Sequence, residues 1–192
     1  VPHMKDSPRR SDAQRNRERI LEVALAELSR CPDVPLSVIA RKAGVGQGTF
    51  YRNFPGRDAL VLEIYRHEMG HVADSAAQLL DTRPPAQALR AWMDRLSEFA
   101  MTKAGLAGAI RQVTGAPCGP AKPAHTPVTD AAALLLRANE EAGTIRPGVT
   151  ADDFMLAIAG LWQLDPREDW RPRATRLLDL VMDGLRRGAP GN

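Results

Sequence analysis

The stretch IARKAGVGQGTFYRNFPGRDAL, from Ile39 to Leu60, decides the fold. Its opening residues continue an apolar spacing that begins at Leu36. Leu36, Ile39, Ala40 and Ala43 stand at i, i+3, i+4 and i+7, which is one face of a short helix. Gly44 stops that helix, because an open or left-handed backbone position costs glycine little. Val45, Gly46 and Gln47 form a tight connection, and residues 48–54 suffice for two further helical turns. Phe50 and Phe54 are four apart and share a face. Pro55 and Gly56 then break the pattern. The stretch predicts a helix, a tight turn, a second helix and the start of a third.

Working outward, Ile20, Leu21, Ala24, Leu25 and Leu28 recur at helical spacing, while Arg15, Arg17, Arg19 and Glu22 take other angles. They predict a helix from about Ala13, capped by Asp12 and ended by Cys31 and Pro32. Residues 5–12 are charged, contain Pro8 and lack apolar anchors, so 1–12 are expected to be a flexible arm, with Met4 as the original start. Pro35 fits the first turn of the second helix, with Asp33 near its cap. Downstream, helices are expected over about 57–80, 86–103 and, weakened by Gly105 and Gly108, 104–113. The four prolines between Thr114 and Pro127 predict an irregular exposed connection. Residues 128–142 read as a helix ended by Gly143. Thr150 and Asp153 resemble a capping box for a helix running through Met155, Ile158, Ala159 and Trp162 to Asp165. A final helix covers about 171–187. Nothing reads as a strand, so the expectation is an all-α protein of about nine helices. A helix-turn-helix domain at 13–56 precedes a helical domain at 57–188.

The 192 residues are 44% hydrophobic and 26% charged, an ordinary globular composition that argues against a disordered chain. No run reaches the ~18 apolar residues of a membrane span, and no apolar signal segment opens the sequence, so a cytoplasmic location is expected. Two cysteines, Cys31 and Cys118, are too few for a disulfide scaffold. Charge is uneven: up to Arg57 there are 11 lysines and arginines against 6 acidic residues, whereas the remainder is slightly acidic. A basic first third suggests that this end meets a polyanion.

In a helix-turn-helix the first helix, here carrying Ser37, Arg41 and Lys42, crosses the DNA backbone, and the second enters the major groove. With Phe50 and Phe54 turned inward, Gln47, Thr49, Tyr51, Arg52 and Asn53 are directed outward. The set has suitable chemistry. Gln47 and Asn53 can read an adenine edge, Arg52 a guanine edge, and Thr49 a thymine methyl or a phosphate. A polar surface helix is the plainer alternative, but it leaves the basic balance and the outward Tyr51 unexplained.

The 39–60 string resembles the signature of the TetR/AcrR family of bacterial transcriptional regulators. The resemblance implies that Tyr51 and Arg57 each meet a phosphate and that Gln47, Gly48, Thr49 and Asn53 approach the groove. Asn53 stands where histidine is frequent, which obscures the operator. Pro35 replaces a capping threonine, which shifts the corresponding backbone contact toward Ser37. Residues 142–154 resemble the linker and helix start before the family's last two helices, and 177–185 resemble its final dimerisation helix. The resemblance implies a homodimer on palindromic double-stranded operator DNA and a middle region that binds an inducer.

Trp92, Met93, Leu96, Phe99, Ile110, Phe154, Met155 and Trp162 are candidates to line a cavity for an apolar or aromatic effector, with His67, Arg111, Gln112, Asn139 and Gln163 as polar contacts. Packed core is the alternative for each apolar member. Ala159, Gly160, Ala174, Leu177, Leu178, Val181, Met182 and Leu185 are candidates for the dimer interface, although individual leucines can belong to the subunit core. His67 and His71, four apart with Glu63 and Glu68 nearby, lack an HExxH arrangement and a third ligand, so no metal, cofactor or catalytic residue is expected. The function expected is a ligand-responsive regulator, a repressor released by its effector. A constitutive architectural DNA-binding protein, or a helical enzyme retaining a DNA-binding module, are the alternatives. Turnover sensitive to His67, His71 or Cys118 would mark the enzyme.

Overall fold

Apolar residues at helical spacing bring the chain into eight α-helices and one 3-10 turn among the residues described by the computed structural model, 7–105 and 127–190. In chain order these are α1 (Ser7–Arg30), α2 (Leu36–Lys42), α3 (Gln47–Asn53), α4 (Arg57–Thr82), α5 (Pro85–Gly105), α6 (Pro127–Glu141), α7 (Ala151–Ala157), the 3-10 turn Ala159–Gln163, and α8 (Arg171–Arg186). The all-α expectation holds. The expected short helix over 104–113 and the proline-rich connection fall largely outside the described residues, as do Ile110, Arg111, Gln112 and Cys118.

Two compact units result, one reaching His67 and the other starting at Glu68, so the division falls inside α4 rather than at the 56/57 break expected from Pro55 and Gly56. In the first unit, Ile20, Leu21, Ala24 and Leu28 of α1 meet Ile39, Ala40, Phe50, Phe54, Leu60, Val61 and Ile64 in one buried cluster. One long and two short helices bury little by themselves, and the start of α4 supplies the remaining wall.

Local chemistry sets the ends of α2. Gly44 has φ +69°, a conformation in which other residues are strained. Its amide donates to Arg41 O (3.1 Å), while the Val45 amide donates to Ala40 O (3.1 Å). This pair of bonds is a Schellman ending, and it turns the chain sharply into α3. Gly143 ends α6 in the same way at φ +66°, with Gly143 N bonded to Glu140 O and Thr144 N to Asn139 O, both 3.0 Å.

Three boundaries differ from expectation. Helix α1 begins at Ser7, not Ala13, so residues 7–12 are helical; Pro8 sits in the first turn, where its missing N–H breaks no helical bond. Pro35 is itself the N-cap of α2, without a side-chain cap, and Asp33 is not the capping residue. The helix started by Thr150 does not continue to Asp165. Thr150 Oγ1 accepts from Asp153 N (3.1 Å), as the capping box predicts, but the α-helix stops at Ala157 and a 3-10 turn follows. Buried Ile158, Leu161 and Leu164 repeat every three residues, the period of 3-10 winding.

In the second unit α5 carries Leu89, Trp92, Met93 and Leu96 into a core shared with α6, α8 and the 3-10 turn. Polar ties fix it. Trp92 Nε1 donates to Val72 O (2.9 Å), and Arg146 N donates to Leu185 O (2.8 Å). Arg171 grips Glu98 through two nitrogens, at 3.1 and 3.2 Å.

Candidate nucleic-acid interface

The candidate surface is built on α3, whose inner face is packed into the core of the first unit. Phe50 and Phe54 are fully buried, with ring centroids 5.6 Å apart. Tyr51 meets Phe50 edge-on, also at 5.6 Å, and keeps 42% of its surface exposed. Gln47, Gly48, Thr49, Arg52 and Asn53 are all exposed. The outward set is therefore presented by a helix anchored from behind by two aromatic rings.

These side chains are also ordered among themselves. Thr49 is the hub: its hydroxyl accepts from Arg52 Nη2 (3.2 Å) and its carbonyl from Asn53 Nδ2 (2.8 Å). Arg52 Nε donates to Gly48 O (3.1 Å). Beside them, a shallow groove of about 360 Å³ is lined by Ser37, Val38 and Arg41 of α2, and by Val45, Gly46 and Gln47. Helix α2 and the start of α3 thus share one surface. Lys42, the last residue of α2, is paired with Glu27 Oε1 at 2.7 Å. That hydrogen bond is the main cause holding the Glu27 carboxyl below its ordinary range.

Arg57 occupies a place the sequence does not reveal. Its guanidinium donates to Pro32 O (2.6 Å) and to Val34 O, two main-chain oxygens in the turn between α1 and α2. The first residue of α4 therefore holds the entry to α2, which has no side-chain cap of its own. Arg17 likewise ties α1 to α4. It lies 4.9 Å from the centroid of Phe54 and donates to Glu63, which also accepts from Arg66 Nη1 (3.1 Å). The sequence gives no sign of these pairings, because the partners lie 25 and 46 positions apart.

In the second unit, Trp92, Met93, Leu96 and Asn139 are completely buried, Phe99 and Phe154 nearly so, Met155 and Trp162 half-buried, and Gln163 exposed. Trp92 and Phe154 stack obliquely, centroids 6.4 Å apart. The Asn139 amide donates to Pro85 O (2.9 Å) and Leu135 O (2.8 Å), and its oxygen accepts from Thr144 Oγ1 (2.7 Å). His67 is half-buried at the end of the first unit. Among the described residues, no group of three or more His, Cys, Asp or Glu is placed to hold a metal, and no helix is long and apolar enough to cross a membrane.

The candidate dimer residues divide by burial. Ala174, Leu178, Met182 and Leu185 are buried within the subunit, Ala159, Leu177 and Val181 are half-buried, and Gly160 is exposed. Sequence reasoning missed Leu156 and Leu180, which are 60% and 70% exposed. The signal was present: 177, 180, 181 and 184 form an i, i+3, i+4, i+7 set beside the buried stripe. Leu177, Leu180 and Val181 line an apolar groove of about 170 Å³ with Ala157, Gly160 and Leu161.

Comparison with known proteins agrees with this geometry. Residues 20–64 match the tetR family of bacterial regulatory proteins, and residues 84–187 match the SbtR-like transcriptional regulator C-terminal domain. A TetR transcriptional regulator from Streptomyces coelicolor is 43% identical, covering 88% of this chain and 98% of that one, with a TM-score of 0.76. A TetR transcription regulatory protein from Mycobacterium vanbaalenii is 32% identical over 93% of this chain and 99% of that one, with a TM-score of 0.72. A TetR-family protein from Mesorhizobium loti, 16% identical over 90% and 96% with a TM-score of 0.62, shares the fold. No curated protein matches the chain. The chain belongs to the TetR family of bacterial transcriptional regulators, and its first unit is the family's helix-turn-helix DNA-binding module.

Proposed function

We propose that this regulator is a repressor that binds a palindromic operator as a homodimer and leaves it when a small apolar or aromatic molecule binds the second unit. The observation that carries the DNA half is the exposed Gln47, Thr49, Tyr51, Arg52 and Asn53 on a helix fixed from behind by Phe50 and Phe54. In this reading Tyr51 takes a phosphate, Gln47 and Asn53 address base edges, and Ser37, Arg41 and Lys42 follow the backbone. Two-fold symmetry then requires matched half-sites about one helical turn apart, ~34 Å, or a multiple. The dimer half of the reading draws on the exposed apolar groove at Gly160, Leu177, Leu180 and Val181.

For release, the effector must favour the DNA-incompetent arrangement over the competent one. Helix α4 is the proposed carrier, since one continuous helix begins at Arg57 in the DNA-binding unit and supplies Val72, Ala76 and Leu79 to the core of the second. Half-buried Trp162 and Met155 and exposed Gln163 are the proposed entry side, with Trp92, Phe99 and Phe154 behind them.

Selection of duplexes from a randomised pool tests the reading. The expected product is a palindrome. Tyr51→Phe should weaken binding to many duplexes alike, whereas Asn53→Ala should alter base preference at one position of each half-site. Planar aromatic compounds should then quench tryptophan fluorescence and release the selected duplex over one concentration range, both responses changing in Trp162→Ala. Recovery of no preferred duplex defeats the operator reading, and a bound compound that leaves duplex affinity unchanged defeats the release mechanism.

A further inference from the structure

Arg19 lies on α1, outside the helix-turn-helix proper, yet it stands at the turn. Its Nη2 is 3.9 Å from the position a Cβ would occupy on Gly44, the glycine that turns α2 into α3. That turn is bounded by Arg41 and Gln47, which line the groove on the recognition surface. Arg19 is exposed. Arg52 and Arg57 donate to neutral oxygens, but several other cations of the first unit are engaged by carboxylates: Arg17 and Arg66 by Glu63, Arg30 and Lys42 by Glu27. The partner of Arg19 is instead a neutral amide, Asn16 Oδ1 at 3.1 Å. A guanidinium so placed keeps its charge for an incoming anion, and its planar fork suits a phosphate.

We propose that Arg19 is a DNA-backbone contact that extends the recognition surface from the helix-turn-helix onto α1, its guanidinium taking a phosphate oxygen beside the Gly44 turn. The inference rests on the operator-binding reading above. A phosphate contact fixes register and orientation but carries no sequence information of its own. Arg19 therefore contributes affinity on any duplex and leaves base preference unchanged. Glycine at position 44 serves it by adopting the positive φ that sets the turn.

The test uses the full chain, a fluorescent duplex recovered from a randomised pool by the wild type, and an unrelated duplex of equal length. Affinities are measured between 50 and 200 mM salt for wild type, Arg19→Gln, Arg19→Lys and Arg137→Ala. The last removes one exposed positive charge from α6 in the second unit and controls for net charge. Losing one phosphate contact lowers the salt slope by about 0.9, so the wild-type advantage should shrink roughly three- to fourfold across that range. Arg19→Gln should show this change on both duplexes with an unchanged thermal melt, Arg19→Lys should recover most of the slope, and Arg137→Ala should match wild type. If the slopes of Arg19→Gln and Arg137→Ala coincide, the proposal is overturned. A loss on the selected duplex alone overturns it as well, in favour of base reading. If the pool yields no preferred duplex, the operator reading fails, while the slope comparison on the unrelated duplex still decides the role of Arg19.

Discussion

The guanidinium of Arg57 donates 2.6 Å to the carbonyl oxygen of Pro32, twenty-five residues earlier, and so fastens the first turn of α4 to the entrance of α2. A second nitrogen reaches Val34 O. Arg57→Ala removes charge-assisted bonds to two carbonyls and should cost about 1–2 kcal/mol. For a chain of this size that is a fall in Tm of roughly 2–8 °C, read by circular dichroism. Arg57→Lys should recover only part of the loss, because a single ammonium lacks the planar fork that serves two oxygens. An unchanged melt for Arg57→Ala would show that the clamp is without consequence.

Glu63 titrates with a defined sign. Its carboxyl is held below its ordinary range, chiefly by the Arg17 hydrogen bond, with Arg66 adding to the effect and burial opposing it. A lowered folded-state pKa stabilises the fold above the unfolded value and ceases to do so as pH falls through the folded one. Glu63→Gln should therefore lower the Tm by about 1–4 °C at pH 7. The wild-type and variant melts should converge as the pH drops below the ordinary glutamate value of 4.5. A difference that persists in acid would assign the effect to packing rather than charge.

Leu178 and Leu180 separate folding from association. Leu178 is 1% exposed, so Leu178→Glu buries a charge in the subunit core and should destabilise the fold by several kcal/mol. Leu180 is 70% exposed, so Leu180→Glu should leave the far-UV spectrum intact and shift a dimer toward monomer in sedimentation velocity. A wild-type monomer at micromolar concentration would remove the dimer from the proposed function.

What the sequence made legible was local. Gly44, the Phe50–Phe54 spacing and the Thr150 cap are each decided within a few residues by backbone sterics or one hydrogen bond, and the structure contains all three. Residues 7–12 escaped because a charged, anchorless segment reads as an arm, although Pro8 also suits a helix's first turn. The burial of Leu161 was hidden by the choice of period: α-helical spacing from Ile158 points to Trp162, and 3-10 spacing points to Leu161. At the recognition surface the exposed set on α3 was readable from its apolar complement. The Arg57 clamp and the Arg17–Glu63 pair were not, since only the folded chain brings those partners together.

The winding change after Ile158 has a consequence for how such a regulator can vary. A 3-10 turn advances each residue by about 120° instead of about 100°, so Ala159–Gln163 accumulates a lead of roughly 100° over a continued α-helix. Phe154, before the change, keeps its place in the core, while the direction in which Gly160 faces is set by the change itself. The segment works as a vernier between inside and outside. A Gly160→Ala substitution that favoured α-helical winding would re-aim the groove wall opposite Leu177 without displacing Phe154. Leu161, buried by the same winding, would turn with it, so the groove wall and this edge of the core change together.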